Sequence, residues 1–429
     1  MMTLAAWPTF NGYKPTSIDW QPDAPEHWDV KPLFAVARII SEANQPELEL
    51  LSVYLGQGVI RFSDVEEKRT NATSADLSKY QVVRPGNLVL NNQQAWRGSV
   101  GVSRNTGIVS PAYLVLDLGN RFELGFADYY FRTNSTVVHF LVSSKGVGTI
   151  QRNLYWPALR RCPITIPPLP EQRAIAAFLD EKCAKVDEAV RIKEAQIALL
   201  RERRQILIQQ AVTRGLNPDA PMKDSGVDWI GQIPTHWEVR RSKYVFTQRK
   251  ELARKDDIQL SATQSYGVIP QDKFEEFVGR RVVKIQTNLE KRKHVEVDDF
   301  VISMRSFQGG LERAFAAGCI RSSYVILQPL EPLSADFFGY LLKSPRYIKA
   351  LQATGSFIRD GQDLNFDNFS KVDLFLPPMH EQVAIAAHIK VGCEKIDYGI
   401  AIKEQQIVAL REYRTSLIDA TVTGKIKVA

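Results

Sequence analysis

Two short polar loops hold the residues of this 429-residue chain best suited to recognition chemistry. One runs Asn91, Asn92, Gln93, Gln94, Ala95, Trp96, Arg97, Gly98, and the other Ser303, Met304, Arg305, Ser306, Phe307, Gln308, Gly309. Asparagine and glutamine carry a donor and an acceptor side by side and can pair bidentately with an adenine edge, while arginine matches guanine O6 and N7. That is the chemistry of reading bases in DNA. Basic clusters at Arg240-Arg241-Lys243, Arg249-Lys250 and Lys291-Arg292-Lys293 suit phosphates, which hold a duplex in register without reading it. The candidate DNA contacts are Asn91, Asn92, Gln93, Gln94, Trp96, Arg97, Arg292, Lys293, Arg305, Ser306, Phe307 and Gln308. The alternative places Trp96 and Phe307 in a core and leaves their polar neighbours as solvated loop.

Catalytic patterns do not accompany these loops. There is no GxxxxGK[ST] phosphate loop and no HExxH. Nor is there an Asn/Asp-Pro-Pro-aromatic tetrapeptide of the kind amino-methyltransferases use on an extruded base. Pro22-Asp23 and Pro218-Asp219 lack the acid-x-lysine that would complete a metal-dependent nuclease site. The four cysteines form no CxxC pair, and the six histidines are scattered, so no zinc site or disulfide framework is indicated. These features point to a chain built to bind and not to catalyse.

The elements that must position the loops are repeated. The stretch Pro167 to Leu216 opens PPLPEQRAIAAFLD and returns from Pro377 to Ile426 as PPMHEQVAIAAHIK, with Glu171-Gln172 recurring as Glu381-Gln382. A repeat across half the chain makes the architecture two-fold. Each copy starts with prolines and continues proline-free, as a long helix must. Leu179, Cys183, Val186, Val190, Lys193, Ile197, Leu200, Arg204, Leu207 and Ala211 alternate by four and three. So do Ile389, Cys393, Ile396, Ile400, Lys403, Ile407, Leu410, Arg414, Leu417 and Thr421. That spacing predicts a coiled-coil seam, with each helix roughly 60 Å long. Because one globular segment joins the end of the first helix to the start of the second, the expected pair is antiparallel, in a dumbbell. Two amphipathic helices packed on separate domains are the simpler alternative.

The globular segments repeat more loosely. YKPTSIDWQPDAPEHWDV, from Tyr13, matches MKDSGVDWIGQIPTHWEV, from Met222, and reads as a structural clasp entering each domain. Leu51-Ser52 with Gly58-Val59-Ile60 matches Leu260-Ser261 with Gly267-Val268-Ile269. Strand-like runs flank both polar loops. Helical patches are expected at Gly125 to Phe140 and Ala335 to Leu351. Glycine-containing loops follow at Ser143 to Gly148 and Thr354 to Gly361. Extended runs (Arg160 to Ile166, Lys371 to Leu376) close each segment. The fold class is α+β: two globular segments with a curved, mostly antiparallel sheet alternate with two long helices in a pseudo-two-fold tandem repeat. The divisions are 1–165 (first globular segment with its clasp), 166–216 (central helix), 217–375 (linker and second globular segment) and 376–429 (C-terminal helix).

Hydrophobic residues make up 44% and charged residues 24%, the balance of a soluble globular protein. No apolar run approaches the roughly 18 residues of a membrane helix and no signal peptide is recognisable, so a cytoplasmic protein without membrane contact is expected. The net charge of +7 lies mainly on the globular segments, which fits contact with nucleic acid without demanding it.

Two variable α+β segments alternating with helices that open PPLPEQRAIAAFLD and PPMHEQVAIAAHIK resemble the specificity subunit of type I restriction–modification enzymes. The resemblance spans essentially the whole chain and includes LLRE, ALRE and AVTRG. Met379-His380 and His388 depart from the usual Leu-Pro and Phe. It implies that each globular segment is a target-recognition domain for one half of a bipartite DNA site. The helices would form an antiparallel coiled coil that spaces the halves and docks two adenine-methyltransferase subunits. A restriction subunit could join them, and S-adenosylmethionine, ATP and magnesium would belong to those partners, none to this chain. Two alternatives stay open: a bivalent architectural or regulatory DNA-binding protein, and an enzyme with unrecognised catalytic residues.

Overall fold

A computed structural model describes residues 7–65, 76–147, 151–282, 289–303, 306–354 and 365–428. The chain divides into two compact units: Met1–Glu194 with Glu404–Ala429, and Ala195–Lys403. Both boundaries fall inside the long helices, which span Leu169–Arg214 (46 residues) and Met379–Val422 (44 residues). The fold is mixed helix and sheet, and among the described residues no helix is long and apolar enough to cross a membrane.

The first unit is built on a four-stranded antiparallel sheet in the order Arg38–Ile39, Tyr113–Asp117, Asn87–Asn91, Val100–Val102. Hairpin Leu51–Tyr54 with Gly58–Arg61 and ladder Gln81–Val83 with Gly107–Val109 lie outside it as two-stranded sheets. The expected single curved sheet is thus several small ones. Helices Leu124–Arg132 and Asn134–Val142 follow; the Thr133 side chain accepts from Thr136 N, so one cap ends the first helix and starts the second. Strand Pro163–Ile166 pairs with Asp29–Pro32 and closes the globular part. Parts of both expected glycine-containing loops lie outside the described residues. Of the first, Ser144–Val147 is a strand paired with Gln151–Leu154.

The second unit repeats the plan: Phe246–Arg249, Val325–Pro329, Phe300–Ile302, Glu312–Arg313 in one antiparallel sheet, with Glu238–Arg241 closed by Asp373–Leu376. Even strained positions recur. Gly86 (φ 89°) and Asp298 (φ 70°) open the equivalent strands in left-handed turns. Next to them, Asn87 accepts from Arg84 N and Asp299 from Glu296 N, both at 2.8 Å. The second unit contains a helix, Gln271–Val278, that the sequence reading missed; its apolar and charged residues alternate too briefly to stand out.

The repeated Glu-Gln pair explains how clasp and helix join. In the first unit Glu171 accepts from Trp28 Nε1 (3.0 Å) and pairs with His27 Nε2 (2.7 Å). In the second, Glu381 accepts from Trp237 Nε1 (3.0 Å) and pairs with His236 Nε2 (2.6 Å). Both tryptophans are fully buried. Gln172 and Gln382 are buried too: their amides donate to the carbonyls of Pro167 and Pro377, and their oxygens accept from Glu123 N and Ser334 N. A buried indole N–H without an acceptor costs about 1–3 kcal/mol. Glu381→Ala is therefore expected to lower the melting transition of the second unit, and Glu381→Gln to recover most of the loss, because its amide oxygen can still accept. Equal transitions for all three proteins would show that the indole finds another partner.

Each unit contains pieces of both long helices. In the first, Leu417, Ala420, Val422 and Ile426 pack into one core with Trp28, Ile175 and Leu179. In the second, Ala211 and Val212 join Trp237, Ile385 and Ile389. Within each unit the paired stretches run antiparallel. Arg414–Asp187 (3.3 Å) and Arg411–Glu194 (3.0 Å) show it in the first. In the second, Gly392 lies against Leu207 while Gly399 lies against Leu200, with Arg204–Asp397 (3.2 Å) between the same helices. Arg204 and Arg414 occupy the same repeat position, as do Asp187 and Asp397. These pairs are solvent-exposed and stabilise by no more than about 1 kcal/mol each. Their consequence is registry, since they pin which turns face each other. Of the seam positions, Leu179, Val186, Val190, Ile197, Ile389, Ile396, Ile407 and Leu417 are buried, while Leu200, Leu207, Ile400 and Leu410 are half-buried.

The second unit also holds a buried charge cluster. His294 is 1% exposed, with Nδ1 2.9 Å from both Asp257 oxygens and Nε2 2.9 Å from Glu296. Burial alone would lower its pKa, but the hydrogen bonds to Asp257 and then Glu296 outweigh it, and the net shift is upward from 6.5. A raised histidine pKa stabilises the fold fully below about 6.5, and that contribution is lost as pH rises through the folded value. The stability advantage of the native protein over His294→Gln should therefore shrink on going from pH 6 to pH 9. Paired thermal melts check this; a constant difference would mean the histidine is held neutral.

Candidate nucleic-acid interface

In the first unit, strand Asn87–Asn91 delivers the polar loop and a 3-10 turn, Ala95–Arg97, shapes it. Ala95 is fully buried and anchors the turn, and Gly98 (φ 98°) ends it in the left-handed region that favours glycine. Asn91 and Asn92 help build the loop. Asn91 Oδ1 accepts from Gln93 N (3.1 Å), and Asn92 Oδ1 accepts from Leu154 N (3.0 Å), tying in the neighbouring hairpin. Trp96 is neither core nor fully exposed. Its Nε1 donates to Gln93 O (2.9 Å), and the guanidinium carbons of Arg97 and Arg152 lie 4.6 and 5.8 Å from its ring centre. Gln93 and Arg97 are exposed, and Gln94 is half-buried. The sequence reading missed Arg152 and Lys145, the latter 3.4 Å above the Tyr155 ring. The signal was there in the lysine and arginine flanking Gly146 and Gly148, but the stretch read as a loop, not a basic hairpin beside the first loop.

The second loop is arranged differently. Met304, Arg305 and the Phe307 side chain lie outside the described residues. Ser306 starts a short helix, Ser306–Gly309, and is fully buried; its Oγ accepts from Ser303 N (2.9 Å). Gln308 is exposed. Lys293 is half-buried, donates to Tyr324 O (2.6 Å), and burial lowers its pKa. Arg292 is buried, 8% exposed. Two of the basic clusters are partly neutralised: Arg240 pairs with Glu238 and Glu331, and Arg249 forms two bonds to Asp299 (2.7 and 3.0 Å). Proximity in sequence overstated the charge these clusters offer a ligand.

The two units share one scaffold and one kind of clasp, and they carry loops of different polar chemistry. Among the described residues no group of His, Cys, Asp and Glu could hold a metal ion. No family model matches the chain. The putative type I restriction enzyme MjaX specificity subunit of Methanocaldococcus jannaschii is 21% identical over 465 residues, covering 100% of both chains. A solved structure described as the basis of complex assembly and conformational transition of the type I R-M system superposes with TM-score 0.65 at 16% identity, covering 93% of this chain and 98% of that one. The HsdS subunit from Thermoanaerobacter tengcongensis superposes with TM-score 0.54 at 17% identity, over 94% and 98%. The fold is that of these two solved structures, and the resemblance to specificity subunits drawn from the repeated helices is borne out.

Proposed function

We propose that this chain is the non-catalytic specificity subunit of a type I restriction–modification complex, with each unit reading one half of a bipartite DNA site. The observation that carries the reading is the repeat itself: clasp, sheet order and Glu-Gln tie recur, while the loops at the end of the equivalent strands differ. A shared scaffold with different loops suits two readers of different sequences. The long helices pair as an antiparallel coiled coil, set the spacing between half-sites and dock two adenine-methyltransferase subunits; restriction subunits complete the assembly. S-adenosylmethionine, ATP and magnesium act in those partners. The full-length similarity to a specificity subunit favours this over an architectural DNA-binding protein.

Methylome sequencing of cells expressing the chain with its candidate methyltransferase tests the reading. Adenine methylation at one interrupted motif is expected, and none without this chain. An unchanged methylome, with the complex assembled, would overturn it. Within that assay Gln94→Ala with Arg97→Ala should relax one half-site, and Arg305→Ala with Gln308→Ala the other. Removing a bidentate pair should cost about 1–3 kcal/mol of discrimination at its base pair. Weakening on every sequence alike would instead assign these residues to phosphates or to the fold.

A further inference from the structure

A cleft of about 940 Å³ opens in the second unit between hairpin Leu260–Thr263/Gly267–Pro270, helix Gln271–Val278 and the ladder Lys293–Val295/Gly318–Ile320. Its charge is one-sided. Arg280, Arg281, Arg292 and Arg321 line it, and among the described residues Glu312 is the one carboxylate in its wall. Glu312 is buried and neutralised by Lys343, 2.6 Å away.

The pairing of these arginines sets the cleft apart from much of the unit. Arg240, Arg249, Arg254 and Arg313 each hold a carboxylate. Arg280, Arg281 and Arg321 are exposed, and among the described residues none of them has an ion-pair partner. Arg292 is buried, yet its described contacts are neutral: Nη1 donates to Gln259 Oε1 (3.1 Å) and lies 3.9 Å from Cys319 Sγ. A buried guanidinium with no carboxylate is costly unless an anion completes it. Three exposed arginines without a carboxylate partner among the described residues, and one buried arginine, thus line the same cleft.

Resting on the function proposed above, we propose that this cleft seats the backbone phosphates of one DNA strand at the half-site read by the second unit, and that the adjoining loop at Ser306–Gly309 does the reading. The cleft supplies affinity and register, and phosphate contacts carry no base identity. Helix Gln271–Val278 supplies one wall of the cleft through Gln271, Phe274 and Val278.

The test uses the full chain and a mixed-sequence duplex of about 40 base pairs, followed by fluorescence anisotropy across a salt series. For duplex DNA the slope of log K against log salt changes by about 0.9 for each phosphate that the protein neutralises. Arg280→Gln/Arg281→Gln/Arg321→Gln, all at exposed sites, should reduce the slope by about 2 to 3 and affinity by tenfold or more. Preference among single-base variants of the target should stay the same. A charge-matched control, Arg346→Gln/Lys349→Gln/Lys371→Gln, should keep the native slope. An unchanged slope in the triple variant, or an equal reduction in the control, would overturn the cleft and leave the specificity-subunit reading standing. Tight binding of inorganic pyrophosphate, abolished in the triple variant while duplex binding persists, would assign the cleft to a small phosphate ligand and overturn the DNA assignment. Failure of the native chain to bind any duplex, alone or with its methyltransferase, would overturn both.

Discussion

Deleting residues 404–429 should unfold the unit that begins the chain and leave the second unit folded. The first unit's core contains Leu417, Val422 and Ile426, packed with Trp28, Leu88 and Phe126. Burying each such side chain stabilises by roughly 1.5–3 kcal/mol, and a domain's whole margin is only about 5–15 kcal/mol. The tail also holds the clasp through Tyr13 OH donating to Gly424 O (3.1 Å) and Lys427 N donating to Pro8 O (2.7 Å). Gly424 (φ 77°) sits against Pro25 and Trp28, where a Cβ would collide. Hydrogen–deuterium exchange reads the outcome: peptides covering Asn87–Asn91 should lose protection while those covering Phe300–Ile302 keep it. Retained protection in both would mean the first unit closes its core without the second helix.

Leu179→Asp and Ile389→Asp should each be severely destabilising. The two positions are equivalent in the repeat, and both side chains are fully buried, one in each unit's core. An aspartate there would enter an apolar cluster, and leaving a buried charge unpaired costs roughly 3–5 kcal/mol. Under the proposed function, methylation of the bipartite motif should disappear in either variant, since one intact reader does not define the site. Leu199→Asp, at an exposed position of the first long helix, is the contrasting control and should melt like the native chain. Native-like melting of the Leu179 and Ile389 variants would show that these residues do not sit between packed helices.

Much of this organisation is legible in the residue order, because it is periodic or repeated. The three–four spacing from Leu179 to Ala211 marks a helix with a buried stripe, since 3.6 residues per turn bring those positions to one face. The recurring PxHW and Glu-Gln segments mark two copies of one scaffold, and the polar loops at strand ends stand out by composition. Pairing over long sequence distances is another matter. Glu171 and Trp28 are 143 positions apart, and Glu381 and Trp237 are 144 apart; no local pattern joins them. The assignment of each helix end to a core depends on packing that only folding brings about. Charge balance behaves the same way: Arg249 and Arg280 look alike in the chain, yet one faces Asp299 and the other meets no described carboxylate. Local periodicity names the elements, but the partners of a side chain are set by which surfaces exclude water together, and that was decided only in three dimensions.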